Sequence, residues 1–285
     1  MKIDLHTHST VSDGTQSPAE VMEAAAYAGL DVVALTDHDT TAGWEQAAEA
    51  AQGVGVSLVR GTEVSCQTEH GISVHLLSYL QDPQHEGLHA VMERARNSRL
   101  TRAQRMTELM GRDYPITWEM VQRQVAAGAT VGRPHLADAL VAAGVVADRT
   151  EAFDTVLHPR SGYYVGHYAP DPVTAVELVR AAGGVPVMAH PMASTRGRVV
   201  GQEVFDAMIQ AGLAGLEIAH RDNPEAARAQ LSRMAEQHNL IVTGSSDYHG
   251  AGKPNRLGEN LTSVQSLRRI QAESSGVTPI LWAGD

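Results

Sequence analysis

The stretch KIDLHTH, residues 2–8, is the part of the sequence that decides how the fold is interpreted. Apolar Ile3 and Leu5 alternate with polar residues, which is typical of a β-strand, and two histidines follow at once. His6 and His8 are two residues apart, so on an extended chain both side chains point to the same face. The N-terminus therefore predicts a short strand that ends in a pair of candidate metal ligands.

Six further short apolar runs follow this strand, and helical patterns separate most of them. The predicted strands are residues 2–5, 31–35, 57–61, 72–77, 185–189, 215–219 and 240–243. Strands that alternate with helices favour βα units around a parallel sheet. Helix starts are indicated by a capping box at residues 17–20 and by Pro after a capping residue at Asp171-Pro172 and Asn223-Pro224.

The alternation breaks between residues 85 and 169, where only helical patterns occur. We predict helices at residues 88–110, 118–127, 134–143 and 150–157. A connection of this length is too long for a simple crossover and is more typical of an inserted subdomain. The expected fold is a distorted (βα)7 TIM-like barrel built from residues 1–84 and 170–285, with residues 85–169 as a helical subdomain that covers the substrate.

The composition restricts the class of partner. The chain has 285 residues with 22 Lys+Arg and 33 Asp+Glu, a formal net charge of -11, which argues against a duplex-DNA binder. One cysteine, Cys66, allows no intramolecular disulfide and fits a reducing compartment. No signal peptide and no apolar run of about 18 residues is apparent. We expect a cytoplasmic protein without membrane contact, either a monomer or a small homo-oligomer.

Histidines and carboxylates collect at the ends of the predicted strands, where βα-barrels carry their active sites. A lone histidine is more often structural, but a set of nine histidines and carboxylates at converging ends is typical of a metal site. Imidazole and carboxylate groups without cysteine suit Zn, Mn or Fe. Only one of the nine lies inside a predicted strand instead of at its end. The candidate metal ligands are His6, His8, Asp13, His38, Glu63, His75, His190, Asp247 and His249.

Several runs together resemble the successive motifs of the PHP (polymerase and histidinol phosphatase) superfamily. They are DLHTHSTVSDG (4–14), TDHDT (36–40), GTE (61–63), AHP (189–191) and SDYH (246–249). The runs GRPH (132–135) and KPNRLG (253–258) look similar to a branch of small phosphoesterases that act on nucleotides. That branch includes 3′,5′-nucleoside bisphosphate phosphatases and 5′→3′ exonucleases on short RNA.

The resemblance implies two to three divalent metals, with Mn, Zn, Fe and Mg as the candidates. By motif position, the first metal takes His6, His8, Glu63 and Asp247. The second shares Glu63 and takes His75 and His190, and the third takes Asp13, His38 and His249. Many members have His where this chain has Asp13, and the added negative charge favours Mn or Mg. Asp37 is expected to orient an imidazole rather than to bind a metal.

Cationic side chains that could contact a phosphate cluster on the long helix of the insert. Five arginines fall within twelve residues, at positions 94, 96, 99, 102 and 105, and Arg99 and Arg102 share a helical face. Arginine suits bidentate phosphate contacts, and a helix start also favours anions. The predicted substrate-binding residues are Arg99, Arg102, Arg133, His135, His220, His249 and Lys253.

The resulting hypothesis is a metal-dependent phosphoester hydrolase that acts on a small nucleotide or short oligonucleotide. A hydroxide bridging two metals attacks phosphorus, with Glu63, Asp247 and His220 as the catalytic residues and His220 as a candidate proton donor. Two alternatives stay open. One is a histidinol-phosphatase-like enzyme, another small phosphomonoesterase or an amidohydrolase, and the other is a metal-binding accessory domain without turnover.

Overall fold

The computed structural model describes residues 1–284 and contains one seven-stranded sheet. The strands follow one another around the sheet in sequence order. They are β1 (Ile3–Thr7), β2 (Val32–Leu35), β3 (Ser57–Gln67), β4 (Ser73–Tyr79), β5 (Val185–Met188), β6 (Gly215–Ala219) and β7 (Ile241–Gly244). Backbone hydrogen bonds from His8 N to Tyr248 O (2.8 Å) and from Tyr248 N to His6 O (3.3 Å) bring the first strand back to the last. The sheet is therefore a nearly closed barrel, as predicted.

The prediction of an all-parallel sheet is wrong at β4, which pairs antiparallel with both β3 and β5. β3 does not end at residue 61 but continues to Gln67, and a tight turn leads directly into β4. In that turn Gly71 has a φ of +72°, and Gly71 N donates to Thr68 O. A turn this short leaves no room for a crossover helix, so the two strands must form a hairpin.

Ten helices flank the sheet or form the insert in the described part of the chain. They are α1 (Pro18–Tyr27), α2 (Trp44–Val54), α3 (Glu86–Met110), α4 (Trp118–Gln122), α5 (Arg133–Ala142), α6 (Arg149–Asp154), α7 (Pro172–Ala181), α8 (Gln202–Gln210), α9 (Glu225–Gln237) and α10 (Val264–Glu273). A short 3₁₀ turn covers Ser194–Arg196. Among the described residues, no helix is long and apolar enough to cross a bilayer.

Two of the three predicted helix starts are confirmed. Ser17 and Glu20 form the capping box of α1, and the Asp171 carboxylate accepts from Val173 N at the start of α7. Asn223 was expected to cap α9, but its side chain is used elsewhere. The Asn223 side chain accepts from Met192 N and donates to the carbonyls of Glu217 and Ile218. These hydrogen bonds connect the end of β6 to the loop that follows β5.

Buried apolar side chains hold the barrel and the insert in separate clusters. In the barrel, Ile3, Leu5 and Leu77 pack with residues of β2, β5 and α10. In the insert, α3 to α6 enclose their own cluster, which includes Met106 and Leu140 and draws only on positions 103–165. The first turns of α3 are an exception, because Leu88 and Met92 pack with barrel residues such as Val64 and Leu76. The separate cluster supports the proposed helical insert for the part of 85–169 that follows them.

Candidate metal centre and substrate wall

The strand ends bring all nine predicted metal ligands to one place. β3 continues through Glu63 toward its end, and β4 runs in the opposite sense, with His75 opposite Ser65. Because β4 is antiparallel, a residue near its start lies at the same end of the barrel as the last residues of the parallel strands. This reversal explains why His75, the apparent exception in the sequence, belongs with the others.

The first group of potential ligands is His6, His8, Glu63 and Asp247. His6 Nε2 and His8 Nε2 are 3.0 Å apart. Glu63 Oε2 lies 3.3 Å and 3.1 Å from these two nitrogens, and Asp247 Oδ1 lies 3.4 Å from each. All four side chains are buried, so their donor atoms converge on one point away from bulk water.

The chemistry of this group fits a cation. His6 Nδ1 lies 3.0 Å from the Glu217 carboxylate and must donate to it, so in the neutral ring Nε2 presents a lone pair to the centre. Lone pairs and carboxylate oxygens that face one another in a buried site repel unless a cation lies between them. The residues present are thus suited to a divalent metal with nitrogen and oxygen ligands.

Glu63 faces a second group with its other oxygen. Glu63 Oε1 is 2.9 Å from His75 Nδ1 and 3.2 Å from His190 Nε2, while Oε2 is 3.2 Å from His38 Nδ1. Glu63, His75 and His38 form a potential metal-binding group. The sequence analysis assigned His75 and His190 to the second metal, whereas this group contains His38 in place of His190. Both His38 and His190 lie beside the Glu63 carboxylate. One carboxylate between two donor groups is the arrangement that a bridging ligand requires.

The third group is His8, Asp13, His38 and His249. It contains the three residues predicted for it, together with His8. Asp13 Oδ1 is 3.2 Å from His249 Nε2, and Asp13 Oδ2 is 3.8 Å from His38 Nε2. Although buried and close to carboxylates, His38 Nδ1 and His249 Nε2 form no hydrogen bond of acceptable geometry with any described residue. Buried nitrogens left without a partner are what a metal-binding site would leave before its ion is added.

The electrostatics of the centre reflect this crowding. Burial alone would raise the pKa of Glu63, but the charges of His75, His6 and His38 outweigh it and hold that pKa well below its usual range. Burial lowers the pKa of His8, yet hydrogen bonds with Asp247 and Glu63 raise it to about 9. The Glu63 carboxylate therefore stays ionised, and His8 attracts a proton where a metal would otherwise bind. Burial instead lowers the pKa of His38, His190 and His249, which keeps these imidazoles neutral and able to bind a metal.

Two residues of the centre escaped the sequence analysis. Glu217, fully buried in β6, accepts from His6 Nδ1 and, at 2.9 Å, from His190 N, so it orients two of the predicted ligands. An acidic residue between Leu216 and Ile218 in an apolar strand was the available signal. Arg196 donates to Asp247 Oδ2 at 2.6 Å, and nothing in its local sequence indicated this contact.

His220 and Lys253 also lie at the centre. Lys253 Nζ donates to Asp247 Oδ2 at 3.0 Å. His220 Nε2 is 3.7 Å from the same oxygen, and His220 Nδ1 accepts from Asp222 N at 3.1 Å. Because Nδ1 accepts, the proton of the neutral His220 ring is on Nε2, which is buried and has no hydrogen-bond partner within residues 1–284. The N–H group of His220 is therefore directed at the metal centre, and its predicted role as proton donor stays a prediction.

Asp37 supports the site through hydroxyl groups rather than through an imidazole, contrary to the prediction. Its carboxylate accepts from Ser9 N (2.8 Å), Ser9 Oγ (2.7 Å) and Ser12 Oγ (2.6 Å). Ser12 Oγ in turn lies 3.4 Å from His8 Nδ1. Asp37 thus holds the loop that follows β1 and reaches His8 only through Ser12.

The arginines of α3 divide into two sets. Arg99 and Arg102 are buried against the barrel, whereas Arg105 pairs with Glu108 at the surface. Arg94 lies over the Tyr168 ring at 3.7 Å, and Arg96 reaches Thr40. The two arginines predicted to share a helical face, Arg99 and Arg102, are the two of the five that are buried.

Arg99 connects the insert to the metal centre. Its guanidinium donates to Ser65 Oγ, and its Nε lies 3.3 Å from Asp39 Oδ2. Ser65 is two residues beyond Glu63 on β3, so both side chains lie on the same face, roughly 7 Å apart.

Arg102 and Arg133 have no carboxylate partner among the described residues. Arg102 Nη1 donates to His167 Nδ1 at 3.1 Å, while its buried Nε has no partner. Arg133 lies near the rings of Phe153 and Tyr164, 5.3 Å and 5.7 Å from their centroids. Burial and the neighbouring charges of Arg99 and Arg133 lower the pKa of Arg102 to about 9. We call Arg99, Arg102, Arg133 and His167 the arginine wall.

His135 lies near the wall but is partly committed to the fold. Its Nδ1 accepts from Gly132 N at 3.0 Å and closes the first turn of α5. Only Nε2 is left for a substrate, so the predicted contact from His135 stays a prediction.

A centre of imidazoles and carboxylates beside buried arginines is what a hydrolase of phosphate esters requires, since it must hold metal ions and an anion together. A solved structure described as a metal-dependent phosphoesterase from Bifidobacterium adolescentis has a TM-score of 0.94 to this chain and is 44% identical, covering 96% of this chain and 97% of that one. The protein is a metal-dependent phosphoesterase. A sequence profile of the PHP domain matches residues 4–131, and the chain belongs to the PHP family.

Two curated relatives cover almost the whole chain. A 5′-3′ exoribonuclease of Haemophilus influenzae is 33% identical over 93% of this chain and 96% of its own length. A 3′,5′-nucleoside bisphosphate phosphatase of Chromobacterium violaceum is 32% identical over 89% of both chains. The resemblance to the branch of small phosphoesterases that act on nucleotides, seen in residues 132–135 and 253–258, is thereby confirmed.

Proposed function

We propose that the enzyme cleaves the 3′ oxygen–phosphorus bond of a nucleotide that also carries a 5′ phosphate. Two activities follow from this one reaction. With a terminal 3′ phosphate, the enzyme is a 3′,5′-nucleoside bisphosphate phosphatase. With a 3′ phosphodiester, it is a 5′→3′ exonuclease on short 5′-phosphorylated oligonucleotides, because the same bond is broken.

The observation that carries this proposal is the uncompensated charge of Arg102. Arg102 is only 5% exposed, and its one hydrogen-bond partner within residues 1–284 is the neutral imidazole of His167. A buried guanidinium without an anion is unfavourable unless a ligand supplies the negative charge. A phosphate that is not hydrolysed fits this place, since arginine binds phosphate in bidentate fashion.

The separation between wall and metal centre supports a substrate with two phosphates. Arg99 contacts Ser65, and Ser65 lies two strand residues from Glu63. A distance of roughly 7 Å along β3 corresponds to about one ribose unit between two phosphates. The 5′ phosphate is assigned to the wall and the reacting 3′ phosphate to the metal centre.

Divalent metals at the centre would supply an activated water and stabilise the charge that develops on the phosphoryl oxygens. Two to three ions of Mn, Zn, Fe or Mg are proposed, held by the nine predicted ligands. Lys253 and Arg196 neutralise Asp247 and stand beside the phosphoryl group. His220 Nε2 donates its proton to the departing 3′ oxygen, so that the products are a 3′ hydroxyl and a phosphate.

The test is a phosphate-release and product screen of the purified chain, first stripped with chelator and then reloaded with Mn, Mg or Zn. The substrates are adenosine 3′,5′-bisphosphate, 3′-AMP, 5′-AMP, a 5′-phosphorylated trinucleotide, histidinol phosphate and a simple amide. We expect turnover of the bisphosphate and the trinucleotide to exceed that of either monophosphate by at least tenfold. Equal rates on 3′-AMP, or preference for histidinol phosphate or the amide, would overturn the proposal. No turnover of the bisphosphate or the trinucleotide with any of the metals would also overturn it.

A further inference from the structure

A segment of irregular backbone, residues 160–169, returns the chain from α6 to the barrel beside α3. It contains Tyr163, Tyr164 and Tyr168, three of the seven tyrosines in a chain with only 4% aromatic residues. We call residues 160–169 the tyrosine segment. The three rings lie beside the arginine wall, and their contacts differ from one position to the next.

Two of the three tyrosines are accounted for by packing. The Tyr163 hydroxyl donates to Asp113 Oδ2 at 2.8 Å, and its ring meets Tyr114 edge to face at 5.8 Å. The Tyr168 ring lies against the Arg94 guanidinium, and Tyr168 N donates to Ser98 Oγ at 2.7 Å. These contacts anchor the tyrosine segment along the insert.

Tyr164 is different. It makes no side-chain hydrogen bond within the described residues, and it is 36% exposed. The Arg133 guanidinium carbon lies 5.7 Å from the centroid of its ring. An aromatic side chain is therefore left accessible at the edge of the arginine wall, where a bound 5′ phosphate would lie.

We propose that Tyr164 stacks on the nucleobase of the substrate whose 5′ phosphate contacts Arg102 and Arg133. This inference rests on the proposed function and adds that the base, as well as the phosphates, is recognised. A base and its 5′ phosphate are separated by one ribose, so a ring at the edge of the phosphate site is within reach. Stacking on an aromatic ring accepts any base, as removal of successive nucleotides requires.

The packing of Tyr164 also suits this role. Arg133 near the ring restricts it through a cation–π contact, so less freedom is lost when a base binds. The nearby positive charges attract the phosphate first, and the ring then holds the base. Tyr164 is thus a specificity residue that favours nucleotides over other phosphate esters.

The experiment compares adenosine 3′,5′-bisphosphate with ribose 3,5-bisphosphate, which has the same phosphates and no base. In Tyr164→Ala we expect KM for the adenosine substrate to rise about 10- to 100-fold, the range that corresponds to loss of one stacked base. KM for the ribose substrate and kcat for both should change less than twofold. Tyr164→Phe and Tyr164→Trp should keep the wild-type KM, because they keep a ring.

Tyr27→Ala is the matched control, since Tyr27 is 96% exposed on α1. Equal loss on both substrates in Tyr164→Ala would mean that Tyr164 supports the fold of the wall, and the stacking inference would be wrong. An unchanged KM for the adenosine substrate in Tyr164→Ala would also refute it. If the wild type turns over neither bisphosphate, the proposed function itself fails and the inference falls with it.

Discussion

The barrel side and the insert side of the site differ in the charge that they leave uncompensated. The barrel contributes imidazole nitrogens and carboxylates, such as His6 and Glu63, whose lone pairs face one another within 3.4 Å. The insert contributes guanidinium groups, and Arg102 has only a neutral partner. Each half on its own buries polar groups without partners, which is unfavourable. The barrel side has an excess of negative charge and lone pairs, and the insert side has an excess of positive charge.

This difference shows how the two halves depend on what they bind. A cation relieves the barrel side, and an anion relieves the insert side, so metal and phosphate together complete the site. The two clusters of apolar side chains that hold barrel and insert are separate. The start of α3 packs into the barrel through Leu88 and Met92, and the contact of Arg99 with Ser65 joins the halves at the site itself.

Removal of Glu63 tests the barrel side and should have the largest effect. Glu63→Ala should lose at least 1000-fold in kcat/KM and at least one bound metal, because its two oxygens face two donor groups. Activity is followed by phosphate release, and metal content by inductively coupled plasma mass spectrometry. The near-isosteric Glu63→Gln should show the same loss with the fold intact. Full turnover by both variants on all phosphoesters would disprove the metal-bridging role.

Removal of Arg102 tests the insert side. Arg102→Gln should raise KM for adenosine 3′,5′-bisphosphate about 10- to 100-fold, since a hydrogen bond to a charged group contributes about 1.5–3 kcal/mol. KM for 3′-AMP, which has no 5′ phosphate, should stay within twofold, and metal content should not change.

Arg105→Gln on the same helix is the control for Arg102, because Arg105 pairs with Glu108 at the surface. A similar rise in KM for both substrates would show that Arg102 holds the reacting 3′ phosphate instead. The assignment of the 5′ phosphate to the arginine wall would then be wrong.

The contact between Arg149 and the β7 loop tests how tightly the halves are coupled. Arg149 forms a bidentate pair with Asp138 (2.6 Å and 2.6 Å), and its Nη1 donates to Gly252 O at 3.3 Å, next to Lys253. Arg149→Lys keeps the charge but loses the two-pronged geometry, so we expect kcat to fall about 3- to 10-fold with little change in stability.

The surface pair of Arg123 and Glu119 on α4 supplies the control, since Arg123→Lys alters a salt bridge that is largely exposed. Wild-type kcat in Arg149→Lys would indicate that the insert positions substrate without supporting the catalytic loop.

His167 gives the smallest effect, a change in acid stability. Burial and the charges of Arg102, Arg99 and Arg133 lower the pKa of His167 to about 3, well below its ordinary value of 6.5. As pH falls below 6.5, the unfolded chain takes up a proton here that the folded chain does not, so the folded state loses stability down to about pH 3. His167→Gln removes this loss, and its Tm should fall about 2 °C less than that of wild type between pH 7 and pH 5.

Thermal unfolding at several pH values measures the effect, with His70→Gln as the control because the His70 side chain is 76% exposed. If His167→Gln and wild type lose the same Tm on acidification, the wall does not carry the positive charge that the comparison assigns to it.

Local sequence patterns were enough to predict much of this molecule. The strand that precedes His6, the capping box at Ser17 and the helices of the insert all depend on neighbouring residues, and the structure contains each of them. The spacing of Arg99 and Arg102 predicted that they share a face of α3, and the structure buries that face. Several family motifs at strand ends identified the ligands, because the ends of barrel strands converge.

Other features depend on where distant segments meet, and only the tertiary structure decided them. The direction of β4, and with it the place of His75, follows from a hairpin that the alternation of strands and helices concealed. Glu217 contacts His6, and Arg196 contacts Asp247. In both pairs the two residues are more than fifty positions apart in the chain. By itself the sequence determined which residue types could bind a metal and a phosphate. The closed barrel determined which of them face one another, because nonlocal contacts leave no periodic pattern in the chain.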